Sequence, residues 1–333
     1  MVSIQPKTLH IHMLQAPTKE DLTLLQDLLP TQVHFTTGTI TSQTPQFEIL
    51  VAGYPSHNDL AHSKKLHSLL IPWAGIPKAT RAHLASFPDL SIHNIHHNAD
   101  AVAELACTLL MTAAKKIIPF DRSFRTHDWR MAQTQYNEAI LLTGKTALIL
   151  GYGHIGKALA KRLHGLGMEL LATRRNLDGP EQDKYATCYP HTALHKLLPQ
   201  SQALIVCLPL TKETHGLIGE KELQLLPKHA LLVNVGRGDV VQEEPLFQAL
   251  KSGHLFGAGL DVWYNYPSSE AERAHTPPSN MPFHTLDNVV LSPHRAPDCH
   301  ENDHLRMKHL ADVLRYPAEG KPMPNKMSLQ RGY

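Results

Sequence analysis

The chain has 333 residues, 42% apolar and 19% charged, with a formal net charge of +2 from 32 basic and 30 acidic side chains in no long like-charge block. Such a length suits two domains of roughly 100–200 residues each, and the balanced charge leaves no footprint for nucleic acid or a membrane surface. No uninterrupted apolar stretch of about 18 residues occurs and the first residues, MVSIQPKTLHIHMLQ, hold no apolar leader, so a cytoplasmic protein is expected. Residues 9–14 alternate like a strand, and 19–29 carry leucines at helical spacing until Pro30. Further strands are expected at 47–52, 66–71 and 90–95, with a short helix at 80–86. Strands alternating with helices imply a parallel, doubly wound α/β sheet, and this first unit ends near residue 98. Residues 99–118, ADAVAELACTLLMTAAKKII, are apolar around most of a helical circumference, which predicts a helix buried between domains or subunits, with Pro119 as its stop. A polar, irregular connector with Trp129 and Tyr136 is expected over 121–142.

The middle of the chain, residues 146–175, reads TALILGYGHIGKALAKRLHGLGMELLATRR. An apolar run leads into Gly151-x-Gly153-x-x-Gly156, apolar residues follow at helical spacing, and a second apolar run begins at Met168. Strand, glycine turn, helix and strand within about 30 residues form the context that a dinucleotide fingerprint requires. Gly151 permits a tight turn, Gly153 lets the backbone approach a pyrophosphate, and Gly156 lets helix and strand pack closely. The anion then rests on the helix N-terminus. Buried parallel strands are expected at 203–208 and 230–235, a helix at 243–250, a glycine-rich run at 257–263, a last strand at 289–291, a helix at 298–314 and a proline-rich tail from Pro317.

Cys107, Cys188, Cys207 and Cys299 are far apart and read as reduced thiols used in packing. The 24 histidines invite a metal reading at His93/His96/His97, His191/His195 and His300/His304. Spacing suggests no third ligand for the last two pairs, and such pairs arise by chance in so histidine-rich a chain, so no metal is expected.

Ligands of open α/β sheets bind at the carboxyl ends of strands, and three candidates fall there. They are Arg237 after residues 230–235, Asp261 with Tyr266 after the 257 run, and His294 after residues 289–291. Singly each has a structural explanation, as a turn or a cap, but three on one edge suggest an active site.

These features together resemble the D-isomer-specific 2-hydroxyacid dehydrogenase family, in its glyoxylate/hydroxypyruvate reductase-like form. The resemblance is carried by GYGHIG at 151–156, LPLTKETHGLI at 208–218, NVGRGDVV at 234–241, GAGLDVW at 257–263 and NVVLSPHRA at 288–296. It implies two doubly wound parallel-sheet domains, a Rossmann nucleotide-binding domain at 99–296 inserted in a flavodoxin-like substrate domain formed by 1–98 and 297–333. It also implies a homodimer built on the nucleotide-binding domain.

The implied chemistry is hydride transfer between nicotinamide and C2 of a small 2-oxo or 2-hydroxy acid, with the protein supplying position, charge and a proton. Arg237 matches the arginine that binds substrate carboxylate and carbonyl, a task for a planar charged fork. His294 matches the acid/base, and Asp261 the residue that holds the nicotinamide carboxamide. Further cofactor positions carried over by motif are Gly151, Gly153, His154, Ile155, Gly156, Leu208, Pro209, Thr214, Val235 and Gly236. Trp73, Ala74 and Gly75 fall where relatives offer backbone N–H groups to the substrate carboxylate, although the usual pattern of that loop is only partly kept.

Two departures from the family pattern are informative. The position that usually holds a glutamate beside the histidine is Tyr266, and a neutral phenol orients an imidazole without stabilising its charge. His294 is therefore expected to titrate lower than in glutamate-bearing relatives. Where an acidic residue would bind the ribose 2′-OH, the chain has Arg174 and Arg175, which favour a 2′-phosphate. NADP(H) is the expected cofactor, with NAD(H) second, in a reductase of glyoxylate- or hydroxypyruvate-like acids. Two alternatives stand beside it. The missing glutamate favours a formate- or phosphite-type anion dehydrogenase. A non-enzymatic nucleotide-sensing dimer is the other, against which the retention of Arg237 and His294 argues.

Overall fold

Residues 8–130 and 139–329 are described by the computed structural model, in which the chain divides into two units, Met1–Asn98 with Cys299–Tyr333, and Ala99–Asp298. The first unit runs β1 (Leu9–Met13), α1 (Lys19–Leu28), β2 (Val33–Thr37), β3 (Ile49–Val51), α2 (His57–His62), β4 (Ser68–Ile71), α3 (Lys78–Leu84) and β5 (Ser91–Asn94). Its five strands are all parallel in the order β2-β1-β3-β4-β5, a doubly wound arrangement of flavodoxin type. Helix α1 starts where the Thr18 hydroxyl accepts from Asp21 N at 3.1 Å, and its buried Leu25 joins Ile11, Ile49 and Leu70 on one face of the sheet. Leu60 of α2 and Leu84 cover the other face with Phe47, Leu50 and Leu69.

Two of these elements are absent from the sequence reading. Strand β2, VHFTT, lies at the sheet edge and is only half-buried, so it lacks the apolar run by which the inner strands are recognised. Helix α2 is six residues held by a Ser56–Asp59 capping box, with Leu60 as its one buried residue.

The second unit opens with α4 (Ala99–Ala114), whose buried alanines and leucines pack within this same unit on α6, β11 and β12, defined below. The expected stop at Pro119 is corrected. The helix ends at Ala114, Lys116 takes a left-handed φ of 51°, and Pro119 lies inside the next helix, α5 (Ile117–Phe124). Proline is tolerated there because the N–H it lacks is among those unpaired in a first turn. The connector expected from residue 121 is thus helical at its start, and Tyr136 lies outside the described residues.

The chain continues β6 (Thr146–Leu150), α6 (His154–Gly165), β7 (Glu169–Arg174), β8 (Glu181–Gln182), β9 (Thr187–Pro190), α7 (Leu194–Leu197), β10 (Ala203–Val206), α8 (Glu220–Leu225), β11 (Ala230–Asn234), α9 (Glu243–Lys251), β12 (Leu255–Leu260) and β13 (Val289–Leu291). The sheet order is β13-β12-β11-β10-β6-β7-β9-β8, parallel except for the short β8. Strand order reverses at β6, so the crevice outside β6 and β10 is the topological switch point of a Rossmann sheet. Gly259 lets α4 approach β12, since a Cβ there would stand 2.6 Å from Leu109 Cβ. The last helix, α10 (Asn302–Ala318), belongs to the first unit, where Met307, Leu310 and Leu314 join its core. It begins later than residue 298 and runs through Pro317, which in a final turn removes one hydrogen bond only.

Candidate active site

After β6, Gly151 turns the chain with φ 97°, a conformation open to glycine, with Leu208 Cδ2 only 3.0 Å from where a Cβ would stand. Gly153 caps α6 with no side-chain partner, and the place of its missing Cβ is open space. At Gly156 a Cβ would overlap the Gly151 carbonyl oxygen. The three glycines thus provide a turn, an open approach and a close helix contact. His154 and Ile155 form the first turn of α6, where the helix dipole favours an anion.

Arg174 ends β7 and Arg175 follows it, both exposed. The buried Cys188 thiol on β9 is pushed up to about 11, chiefly by burial and then by Asp183, against opposing pulls from Arg174 and Lys157. Arg174 of β7, Lys157 of α6 and the carboxylates of Asp183 and Glu181 thus lie together within electrostatic reach of this thiol.

Beyond β10, the buried Thr214 donates its hydroxyl to Pro209 O at 2.6 Å and accepts from Thr211 N at 2.8 Å, which fixes the loop that begins at Leu208. Gly236 lies against that loop, where a Cβ would meet Leu208 N at 3.0 Å, and Val235 beside it is buried. Asn234 then brackets the next turn: Gly236 N donates to its Oδ1 at 3.0 Å and its Nδ2 donates to Arg237 O at 3.0 Å. Arg237 follows in extended backbone, exposed, with Nη1 donating to Gly236 O at 2.6 Å.

His294 has φ 54°, left-handed for a residue with a Cβ, and its N–H donates to Ser292 O at 3.0 Å. Asp261, 0% exposed, sustains this turn. Its carboxylate accepts from Ser292 Oγ at 2.5 Å, Arg295 N at 2.9 Å and Ala296 N at 3.1 Å. Trp263 Nε1 donates to Ser292 O at 2.8 Å from the same loop. Such strain persists only where surroundings over-determine it, and here both flanks of the histidine are tied down.

The Tyr266 ring lies 5.4 Å from the His294 ring, tilted by 60°, while its hydroxyl oxygen accepts from Trp263 N at 3.0 Å. The phenol therefore meets the imidazole through ring contact, and its oxygen is engaged elsewhere. Burial raises the Tyr266 phenol above its usual range, which keeps it neutral. Desolvation lowers the His294 imidazole, the Arg237 guanidinium lowers it further, and Asp261 and Asp298 act in the opposite sense. Arg237 and His294 thus lie within electrostatic reach of each other at the carboxyl edge of one sheet.

Trp73, Ala74 and Gly75 belong to the first unit and follow β4 at the carboxyl edge of its sheet. The Trp73 ring covers Gly53, where any Cβ would collide with it, and lies 5.5 Å from the Tyr54 ring. Asn94 Nδ2 donates to Ala74 O at 2.6 Å, and a cavity of about 260 Å³ opens beside Trp73 and Tyr54. Asn234, Ser292 and Trp263 are the site residues the sequence reading passed over. All three lie inside the motifs, but their parts are hydrogen bonds to backbone that no spacing reveals.

Among the described residues no three His, Cys, Asp or Glu side chains come together as a metal set, and no helix is long and apolar enough to cross a membrane.

A family model described as the NAD-binding domain of D-isomer specific 2-hydroxyacid dehydrogenases matches residues 107–296. Glyoxylate reductase of Thermococcus litoralis is 36% identical over 230 residues, covering 68% of this chain and 66% of that protein. The Thermococcus gammatolerans glyoxylate reductase is 38% identical over 200 residues, 59% of this chain and 56% of that protein. The matched stretch therefore spans between about half and two thirds of these relatives. Among solved structures, a D-isomer specific 2-hydroxyacid dehydrogenase from Xanthobacter autotrophicus Py2, in complex with NADPH and MES, gives a TM-score of 0.75 at 25% identity, covering 97% of this chain and 100% of that one. D-mandelate dehydrogenase of Rhodotorula graminis gives 0.75 at 22% identity over 97% of this chain and 98% of that one, a likeness of fold.

Proposed function

The chain belongs to the D-isomer specific 2-hydroxyacid dehydrogenase family, and from that premise we propose that it transfers a hydride between a nicotinamide dinucleotide and C2 of a small 2-oxo or 2-hydroxy acid. The observation that carries this reading is the pairing of Arg237 with His294 at the sheet edge that also bears the Gly151 turn. In reduction, Arg237 holds the substrate carboxylate and polarises the carbonyl oxygen through its paired N–H groups. His294 gives that oxygen its proton. The cofactor supplies the hydride when bound, on the α6 N-terminus and the loops at Leu208 and Val235. Asp261 enters through the turn it pins, and the backbone of Trp73, Ala74 and Gly75 is a proposed substrate contact. Arg174 and Arg175 support NADP(H) over NAD(H), and reduction of a glyoxylate- or hydroxypyruvate-like acid as the working direction.

A homodimer through this same unit is part of the proposal. Met111, Ile117, Ile118, Phe124 and Trp129 expose 41–65% of their surface along α4, α5 and the segment after it, a run of apolar side chains that a second copy would cover.

The direct test is a panel of small 2-oxo acids with NADPH and NADH, read by loss of reduced cofactor. Turnover of at least one acid, faster at low NADPH than at equal NADH, is expected, and turnover of none would overturn the reading. Tyr266 in place of an acid keeps a second reading open, oxidation of formate or phosphite. Consumption of either anion with oxidised cofactor, and of no 2-oxo acid, would establish it.

The same residue sets a pH dependence. Reduction needs protonated His294, so its rate falls as pH rises through the imidazole pKa, which desolvation and Arg237 lower. A Tyr266→Glu variant supplies a nearby negative charge and should move that limb upward by about one pH unit or more. An unchanged rate profile between about pH 5 and about pH 9 would refute this role.

A further inference from the structure

At the amino-terminal edge of the five-stranded sheet, opposite the edge that carries Trp73, β4 and β5 begin at Ser68 and Ser91 and a crevice of about 290 Å³ opens beside them. His67, Ser68, Ser91 and His93 line it from the sheet, and Lys321 and Lys326 from the chain after α10. No aspartate or glutamate is among its lining residues. The chain after α10 is held there by contacts to the backbone of β5. Lys326 bridges His93 in antiparallel fashion, Met327 N donates to Ile92 O at 2.7 Å, and Asn325 Nδ2 donates to Asn94 O at 3.1 Å.

His93 is only 4% exposed. Its Nδ1 lies 2.7 Å from Pro324 O, a pure acceptor, so Nδ1 carries the hydrogen. In the neutral ring Nε2 is then an unprotonated acceptor, and it makes no hydrogen bond among the described residues. His67 Nδ1 lies 2.9 Å from Ser68 Oγ, a hydroxyl able to donate or accept, beside the same crevice. Lys321 is paired with Glu319 at 2.7 Å, whereas Lys326 has no acidic partner among the described residues. Burial, Lys326 and His67 all lower the His93 imidazole, against the hydrogen bond to Pro324. Gathering cations around a buried imidazole is unfavourable in an empty crevice. An anion would turn each of these repulsions into an attraction and would give Nε2 a proton to donate.

We propose that this crevice binds a small dianionic group, a phosphate or sulfate, free or as a monoester, with Lys326 and protonated His93 as charged donors and the His67, Ser68 and Ser91 side chains completing the shell. Its volume, at the lower limit of small-molecule sites, suits such a group with at most a short carbon chain. The site is independent of the hydride-transfer reading.

The test is thermal unfolding of the whole chain against sulfate, which keeps its charge across the neutral range, with chloride at matched ionic strength as control. A saturable rise of the midpoint is expected at low millimolar sulfate, with affinity about tenfold weaker at about pH 8 than at about pH 6, because one proton is taken up on binding. Lys326→Gln, at an exposed position, should weaken binding by about tenfold. His93→Gln should remove the pH dependence, and His67→Gln reports on the same shell if the buried substitution does not fold. An Arg174→Ser/Arg175→Ser chain should respond to sulfate as the parent does. Inorganic phosphate compared with glycerol phosphate then distinguishes a free anion from a monoester. An equal response to chloride, full binding by Lys326→Gln, or loss of binding in the Arg174/Arg175 variant would overturn the proposal.

Discussion

Replacement of His294 by asparagine should lower kcat for 2-oxo acid reduction by about 10²–10⁴, the usual worth of a positioned general acid, while cofactor binding changes little. Tyr266, the phenol beside it, is a poor substitute acid. Burial raises the phenol above its usual range, so it holds its proton more tightly than an imidazolium does, and it meets His294 through ring contact. The asparagine would still occupy the left-handed φ of 54°, a region that asparagine tolerates better than most residues, so the turn pinned by Asp261 should survive. Arg237→Met should act differently. It removes two charge-assisted hydrogen bonds at about 1.5–3 kcal/mol each, a loss in kcat/KM of about 10²–10⁴, expressed largely in KM. Arg237→Lys should recover only part of this, because an ammonium cannot reproduce the planar fork. Steady-state kinetics on the best substrate of the panel, with NADPH affinity measured by fluorescence titration, separates the two variants. If both kept turnover within about threefold of the parent, the chemistry would lie elsewhere and a nucleotide-sensing role would gain.

The second large effect is expected in cofactor choice. Arg174 closes β7 and Arg175 follows it at the carboxyl edge of the sheet, one strand away from the glycine turn. Exposed single ion pairs are weak, but a 2′-phosphate carries nearly two charges and can take hydrogen bonds from both guanidinium groups. An Arg174→Ser/Arg175→Ser chain should therefore raise KM for NADPH by about 10–100-fold and leave KM for NADH nearly unchanged. Raising ionic strength should weaken NADPH binding in the parent and much less in the variant. A parent that prefers NADH, or a double variant with an unaltered NADPH/NADH ratio, would refute the assignment.

How much of this was legible in the chain depends on how local the cause is. The inner strands, such as residues 203–206 and 230–234, are buried on both faces and read as continuous apolar runs. Strand β2 and the β8–β9 pair lie at sheet edges, partly solvated, where no apolar pattern is imposed. A rule about helix interiors makes Pro119 a stop, but Lys116 breaks the helix first and the proline falls in a new first turn. The motif points Asp261 toward the cofactor, but it does not reveal that the buried carboxylate also takes three hydrogen bonds from the turn around His294. Its partners are 31, 34 and 35 residues away in sequence, a separation at which local pattern carries no signal.

The sequence by itself determined the α/β class, the dinucleotide turn and the identities of Arg237 and His294, because each rests on backbone freedom or residue chemistry within a few positions. The glycines are a clear instance, since the steric need at Gly151 and Gly156 arises inside one βα turn. Only the tertiary structure decided the rest. It brought Arg237 within electrostatic reach of His294, turned the Tyr266 ring rather than its hydroxyl toward the imidazole, and laid Lys326 across His93. These depend on which strands lie side by side and on the burial that follows. Both are properties of the whole fold, to which a window of sequence is blind.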